Sequence, residues 1–249
     1  MKNQRVAVVT GGIGGIGQGT SRCLLRSGHR VVATHLPAET EKAKAVQQAF
    51  ASEDLNLEIM PVDITDVGSC TQLVEEVEAK LGTISVLINN AGITRDSSFK
   101  KLTKANWDAV LQTNLASLYN MTHPVFEKMC AQKFGRVVNI SSINGQKGAF
   151  GQTNYSAAKA GVHGFSMALA QEGAKHGVTV NTVSPGYIQT EMVMAMPEHI
   201  RLAAEAQIPV GRVGLPEDIG RAIDFLCDER NGYITGANLP VNGGIYMSF

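Results

Sequence analysis

The run RVAVVTGGIGGIG, residues 5–17, joins an apolar stretch of strand length to a turn containing five glycines. An amphipathic segment carrying Cys23, Leu24 and Leu25 follows, so the order is strand, glycine turn, helix. Glycines at such a junction let the backbone turn tightly and approach a pyrophosphate. The helix start adds unpaired N–H groups and the positive end of its dipole. A glycine turn alone is a weak signal, but at the head of a strand, helix, strand unit it predicts a dinucleotide site.

Six more apolar runs follow outward from it: HRVVAT (29–34), LEIMPVD (57–63), ISVLINN (84–90), GRVVNIS (135–141), VTVNTVS (178–184) and ANLPVNG (237–243). Each is near-continuously apolar, as in strands covered on both faces, and helix-length segments separate them. The pattern predicts an α/β fold, a doubly wound parallel sheet of about seven strands (a Rossmann fold). Right-handed crossovers would place helices on both faces. No repeat or Pro/Gly-rich linker breaks it, so residues 1–249 read as a single domain. Residues 188–212 interrupt the rhythm with Met192, Met194, Met196 and two prolines, and read as an inserted helical lid or an ordinary helical connection.

Lysine plus arginine equals aspartate plus glutamate at 22 each, which gives no electrostatic footprint for nucleic acid or an anionic membrane. The apolar runs are too short to span a bilayer, and Met1-Lys2-Asn3-Gln4 leads straight into a strand, as expected of a soluble, cytoplasmic protein without a removable signal. Cys23, Cys70, Cys130 and Cys227 stand singly, fitting reduced core thiols. The six histidines are isolated, so no metal site is expected.

Cofactor choice is expected about twenty residues beyond the glycine turn, where enzymes using NAD place an acid against the ribose 2′-hydroxyl. Counting from Gly15 reaches His35, and residues 28–38 contain no carboxylate. The expectation is therefore NADP(H), with NADPH at least tenfold better than NADH in kcat/KM. His35, Lys42 or backbone donors are candidates for the 2′-phosphate. Asp63, closing the third run, could accept from an adenine amino group with Ile64 against the ring, or could cap the helix after Thr65. Asn89, Asn90, Ala91 and Gly92 end the fourth run and suit close passage of a cofactor or a plain strand-end turn.

The catalytic signal lies in NYSAAKAG, where Tyr155 and Lys159 are four residues apart and share a helix face. A phenol near pKa 10 is a poor acid at neutral pH, and an ammonium beside it would lower that pKa. Ser142, thirteen residues before Tyr155 and just past the fifth run, would stand at the carboxyl end of a strand, where open α/β sheets place ligands. Tyr-x-x-x-Lys alone is a common coincidence in a chain with five tyrosines. The serine and the nucleotide turn make it a candidate proton donor to a carbonyl.

TGGIGGIG, NNAG, Asn114, Ser142, Tyr155-x-x-x-Lys159 and Pro185-Gly186, in this order, resemble the short-chain dehydrogenase/reductase family over essentially the whole chain. Gly14 departs from many NADP members, which carry a basic residue there. The resemblance implies Tyr155 as proton donor, Lys159 on the nicotinamide ribose, Ser142 orienting the carbonyl and Asn114 holding a water that relays protons. Gly11, Gly15, Ile16 and Gly17 would line the pyrophosphate, Asn90, Ala91 and Gly92 the adenosine ribose, and Pro185, Gly186, Ile188 and Thr190 the nicotinamide. NNAGITRD and residues 138–193 are similar to family members that reduce short 3-oxoacyl groups on CoA, acetoacetyl-CoA above all, as in polyhydroxybutyrate synthesis. Those acting on the acyl-carrier protein are siblings, and a non-catalytic NADP-binding regulator is a remote alternative. Ala149 departs from the glutamine expected in the CoA reductases.

Phe150, Gln152 and Tyr187, which adjoin catalytic positions, are candidate walls for the acyl end or structural packing. Arg95, Lys100, Lys101 and Lys147 are a candidate cationic rim for the CoA phosphates or solvated surface residues. The family resemblance implies a homotetramer, and aromatics Tyr246 and Phe249 near the C-terminus suit an interface.

Overall fold

The computed structural model describes residues 4–247. Met1, Lys2 and Asn3, and Phe249 at the other end, lie outside the described residues. Seven strands form one sheet: β1 (Val6–Val9), β2 (Arg30–His35), β3 (Leu57–Pro61), β4 (Ile84–Asn89), β5 (Gly135–Ile140), β6 (Val178–Pro185) and β7 (Asn238–Val241). Their order is β3-β2-β1-β4-β5-β6-β7, with every pairing parallel. This is the expected doubly wound Rossmann-type sheet, and its order reverses direction between β1 and β4. That switch point opens a crevice at the carboxyl ends of the strands.

Helices α1 (Gly15–Arg26), α2 (Thr40–Ala51), α3 (Val67–Leu81), α4 (Lys104–Leu111), α5 (Ser117–Ala131), α6 (Ile143–Lys147), α7 (Thr153–Gly173), α8 (Glu191–Met194), α9 (Glu198–Glu205) and α10 (Pro216–Cys227) connect them. Two apolar cores result, one on each face. In β1, Ala7 and Val9 join Leu24 of α1, Phe50 of α2 and Ile223 of α10, while Val6 and Val8 join Leu73 of α3 and Met121 of α5. A two-residue side-chain period with both phases apolar requires cover on both sides, which is why the strands lack alternation in sequence.

Residues 188–212 hold the short helices α8 and α9 and no strand, apart from one bridge pairing Ile188 with Gly214. Thr190 caps α8 by accepting from the Val193 N–H. Tyr246 is half-buried rather than exposed. Among the described residues, no helix is long and apolar enough to cross a membrane.

Candidate active site

The strand ends and glycine turn enclose a cleft of about 770 Å³. Gly11, Gly15, Ile16 and Gly17 line it together with His35, Asp63 and Ile64 and with Asn90, Ala91 and Gly92. Pro185, Gly186, Ile188 and Thr190 also line it, as do Ser142, Tyr155, Lys159 and Arg95. Gly11 has φ +59°, and a Cβ on Gly17 would stand 2.5 Å from the Gly11 carbonyl oxygen, so both positions require glycine. No side chain caps α1, which leaves its dipole end facing the cleft. The Asn90 side-chain amide donates to the carbonyls of Thr10 (2.9 Å) and Gly11 (3.1 Å). Its amide donors thus hold the glycine turn, a supporting role that the sequence did not disclose.

A nucleotide fits this wall. The Thr34 hydroxyl lines it, 1% exposed and without a hydrogen-bond partner among the described residues, and a buried polar group of that kind is one a bound ligand would satisfy. Asp63 uses Oδ1 to accept from both the N–H and the hydroxyl of Thr65. It does not cap α3: Asp66 does, accepting from the Ser69 N–H. His35 is buried and donates from Nδ1 to the Leu36 carbonyl at 2.8 Å.

Lys42 lies in the wall but is paired with Glu191 of α8 at 2.8 Å. Glu39 also lines the cleft, with its carboxylate accepting from the Leu36 N–H at 3.3 Å. The expectation of NADP(H) rested on the lack of a carboxylate in residues 28–38. Glu39, one position beyond that window, removes this basis. The short 3-10 turn after β2 brings it back to the cleft, which counting along the chain did not capture.

At the other end, Ser142 caps α6 by accepting from the Asn144 N–H, which fixes its Oγ just past β5. Tyr155 and Lys159 share a face of α7, with the Lys159 Nζ 5.8 Å from the phenol ring centre. Lys159 is 4% exposed and donates to the Ile140 carbonyl at 2.6 Å. Burial pushes its pKa down to about 8. The expected lowering of the Tyr155 pKa by Lys159 is not what the surroundings produce: burial pushes the phenol up, and the Ser142 hydroxyl is what opposes it.

Asn114 is 2% exposed in a π-helical turn, Gln112–Ala116, between α4 and α5. Its side chain accepts from the Ile93 N–H and donates to the Ile93 carbonyl, both at 2.8 Å. With both polar atoms of its side chain committed to Ile93, Asn114 has its amide engaged in bracing that loop. Ser141, missed by sequence reading, donates to the Lys159 carbonyl at 2.7 Å and ties α7 to the end of β5.

The expected substrate residues divide. Gln152 donates to Asp96 at 2.7 Å and accepts from Asn144 at 2.8 Å, so its amide joins α6 to the loop after β4 and is not free for substrate. Phe150 is 96% exposed, Tyr187 is half-buried, and Lys147 is exposed at the end of α6. None of these four lies in the cleft wall. Among the described residues, no group of three or more His, Cys, Asp or Glu is placed to hold a metal ion.

The family model for short chain dehydrogenases matches residues 5–201. The chain is 49% identical to an acetoacetyl-CoA reductase of Allochromatium vinosum, covering 98% of this chain and 99% of that one. It is 50% identical to an acetoacetyl-CoA reductase of Cupriavidus necator, with the same coverage. It is 40% identical to a 3-oxoacyl-(acyl-carrier-protein) reductase of Haemophilus influenzae, again over 98% and 99%. A cleft with a glycine turn at one end and a Ser, Tyr, Lys group at the other, matched across most of its length, places this chain in the short chain dehydrogenase family.

Proposed function

We propose that the protein reduces the 3-keto group of a short 3-oxoacyl-CoA, acetoacetyl-CoA first, to the (R)-3-hydroxyacyl-CoA. The observation that carries this reading is the meeting of Ser142, Tyr155 and Lys159 in one cleft with the glycine turn. The choice of acyl-CoA follows the relatives near 50% identity that carry that substrate in their names.

A nicotinamide dinucleotide bound in the cleft would supply the hydride. Tyr155 gives its proton to the carbonyl oxygen while the Ser142 hydroxyl hydrogen-bonds the same atom. Both donors meet charge that develops mainly in the transition state. Lys159, anchored on Ile140, would hold the ribose side of the cofactor and return a proton to the phenolate left on Tyr155. Asn114 braces the loop at Ile93 on which this end of the cleft rests. NADP(H) and NAD(H) share everything these residues meet and differ only at the ribose 2′ position, at the far end of the cleft.

Helices α8 and α9 serve as the lid over the acyl end. Assembly as a cytoplasmic homotetramer accompanies this reading, supported by the exposed apolar residues Val67, Tyr119 and Met167 on α3, α5 and α7. The deciding experiment compares kcat/KM on acetoacetyl-CoA with that on acetoacetyl-acyl-carrier protein and resolves the product on a chiral phase. The expected result is a higher value for the CoA ester and the (R) product. A preference for the carrier-bound group would assign the chain to the sibling activity, and no turnover of either would remove the proposal.

A further inference from the structure

We infer that Glu39, Lys42 and Glu191 read the 2′ position of the cofactor's adenosine ribose, and that they favour the hydroxyl of NADH over the phosphate of NADPH. The inference rests on the proposed reading of the cleft as a nicotinamide dinucleotide site.

Three observations carry it. First, β2 ends at His35, and the turn after it brings Glu39 and Lys42 into the cleft wall beside Thr34, His35 and Leu36. Glu39 comes about twenty residues after the glycine turn, the distance at which an acid meets a ribose hydroxyl in dinucleotide folds. Its carboxylate is steadied by the Leu36 N–H and keeps lone pairs free to accept from a 2′-hydroxyl.

Second, Lys42, the cation in the wall at this end, is not free. Its Nζ lies 2.8 Å from Glu191, which reaches from α8, and both residues line the cleft. The pair therefore crosses from the helix after β2 to the segment after β6. A 2′-phosphate, with about two negative charges, would have to draw Lys42 away from Glu191 and would then face two carboxylates. The three side chains together carry one net negative charge before any ligand arrives.

Third, the other polar groups at this end offer few free donors to a dianion. His35 has its Nδ1 committed to the Leu36 carbonyl, and Thr34 offers a single unpartnered hydroxyl. The other cations of the wall, Arg95 and Lys159, come from the loop after β4 and from α7 rather than from the β2 end.

Isothermal titration calorimetry on the intact protein tests this with NAD+ and NADP+, and with the fragments 5′-AMP and 2′,5′-ADP, which omit the nicotinamide. The expected outcome is tighter binding of NAD+ than of NADP+. Because Lys42 and Glu191 are exposed and Glu39 is half-buried, the charges are partly screened, and Glu39→Gln and Glu191→Gln should each move the Kd ratio toward NADP+ by about fivefold, and more at low salt. Lys42→Ala should weaken NADP+ more than NAD+. The fragments should follow the same order. Tighter binding of NADP+ by the wild-type protein, or a ratio that neither glutamine variant moves, overturns the inference while leaving the cleft's reading in place. Binding of neither dinucleotide removes both.

Discussion

The two ends of the cleft are built on opposite plans. At the proposed catalytic end, Lys159, Ser142 and Asn114 are each less than a tenth exposed and each is tied to backbone: to Ile140, to the Asn144 N–H and to both polar groups of Ile93. At the adenosine end, Lys42 and Glu191 form an ion pair with side chains 42% and 79% exposed. A buried, anchored group acts through a low dielectric and cannot relax away from its task, so its removal is expensive. An exposed pair is screened, worth about 1 kcal/mol or less, and easily replaced. The first plan suits chemistry that must not vary. The second suits a choice between ligands that differ at one position.

The sharpest way to break this comparison is Tyr155→Phe. It removes the donor from the buried end and leaves the glycine turn, Glu39 and Lys42 untouched. Turnover of acetoacetyl-CoA should fall by about a thousandfold, or ~4 kcal/mol of transition-state stabilisation, while dinucleotide affinity changes by less than about twofold. Single-turnover kinetics beside calorimetry would separate the two. Turnover within about tenfold of wild type would sink the assigned role of Tyr155, and a large loss of affinity would show that the ends are not independent.

How much of this was legible in the sequence follows the same division. All seven strands were readable because a parallel strand buried on both faces leaves a continuous apolar run. The meeting of the three proposed catalytic residues in one cleft was readable because Tyr155 and Lys159 are four apart on one helix and Ser142 precedes them at a strand end. Local spacing carried the geometry. The adenosine end was not readable, because Lys42 and Glu191 are brought together across the cleft from distant segments, and Glu39 falls just past the window that counting defined. The hidden commitments of Asn90 and Gln152 were illegible for a related reason. A side chain's type shows what it can bond, whereas the tertiary fold decides whether a backbone carbonyl or a neighbouring acid reaches it first.

A second measurement sharpens the contrast through pH. The Lys159 pKa is pushed by burial from an ordinary value near 10.5 to about 8. Between those values the unfolded chain holds a proton at this lysine that the folded chain has released. Wild-type stability therefore gains from this group as pH rises through the window, and below about pH 8 the full cost of burying the charge applies. Lys159→Met lacks that titration. The stability difference, wild type minus variant, should rise by about 3 kcal/mol from pH 7 to pH 10.5 in urea unfolding. A difference that stays flat across that range would mean Lys159 is solvated more than its 4% exposure indicates.

The smallest expected effect concerns the rim. Lys147 is exposed at the last turn of α6, the helix that Ser142 caps, so it stands near the mouth without belonging to the cleft wall. An exposed lysine there can act only by steering a phosphate-bearing substrate, and steering weakens with salt because charges beyond about 10 Å are screened at 0.1 M. Lys147→Ala should therefore raise KM for acetoacetyl-CoA by about twofold to threefold at low ionic strength. It should have less effect at high ionic strength and none on a small, uncharged ketone ester. Measuring both substrates at two salt concentrations distinguishes this from a disturbed α6, which would displace Ser142 and lower kcat for both alike. Equal changes in KM for the two substrates would remove Lys147 from the rim and leave the CoA phosphates to Arg95, the one candidate that does line the cleft.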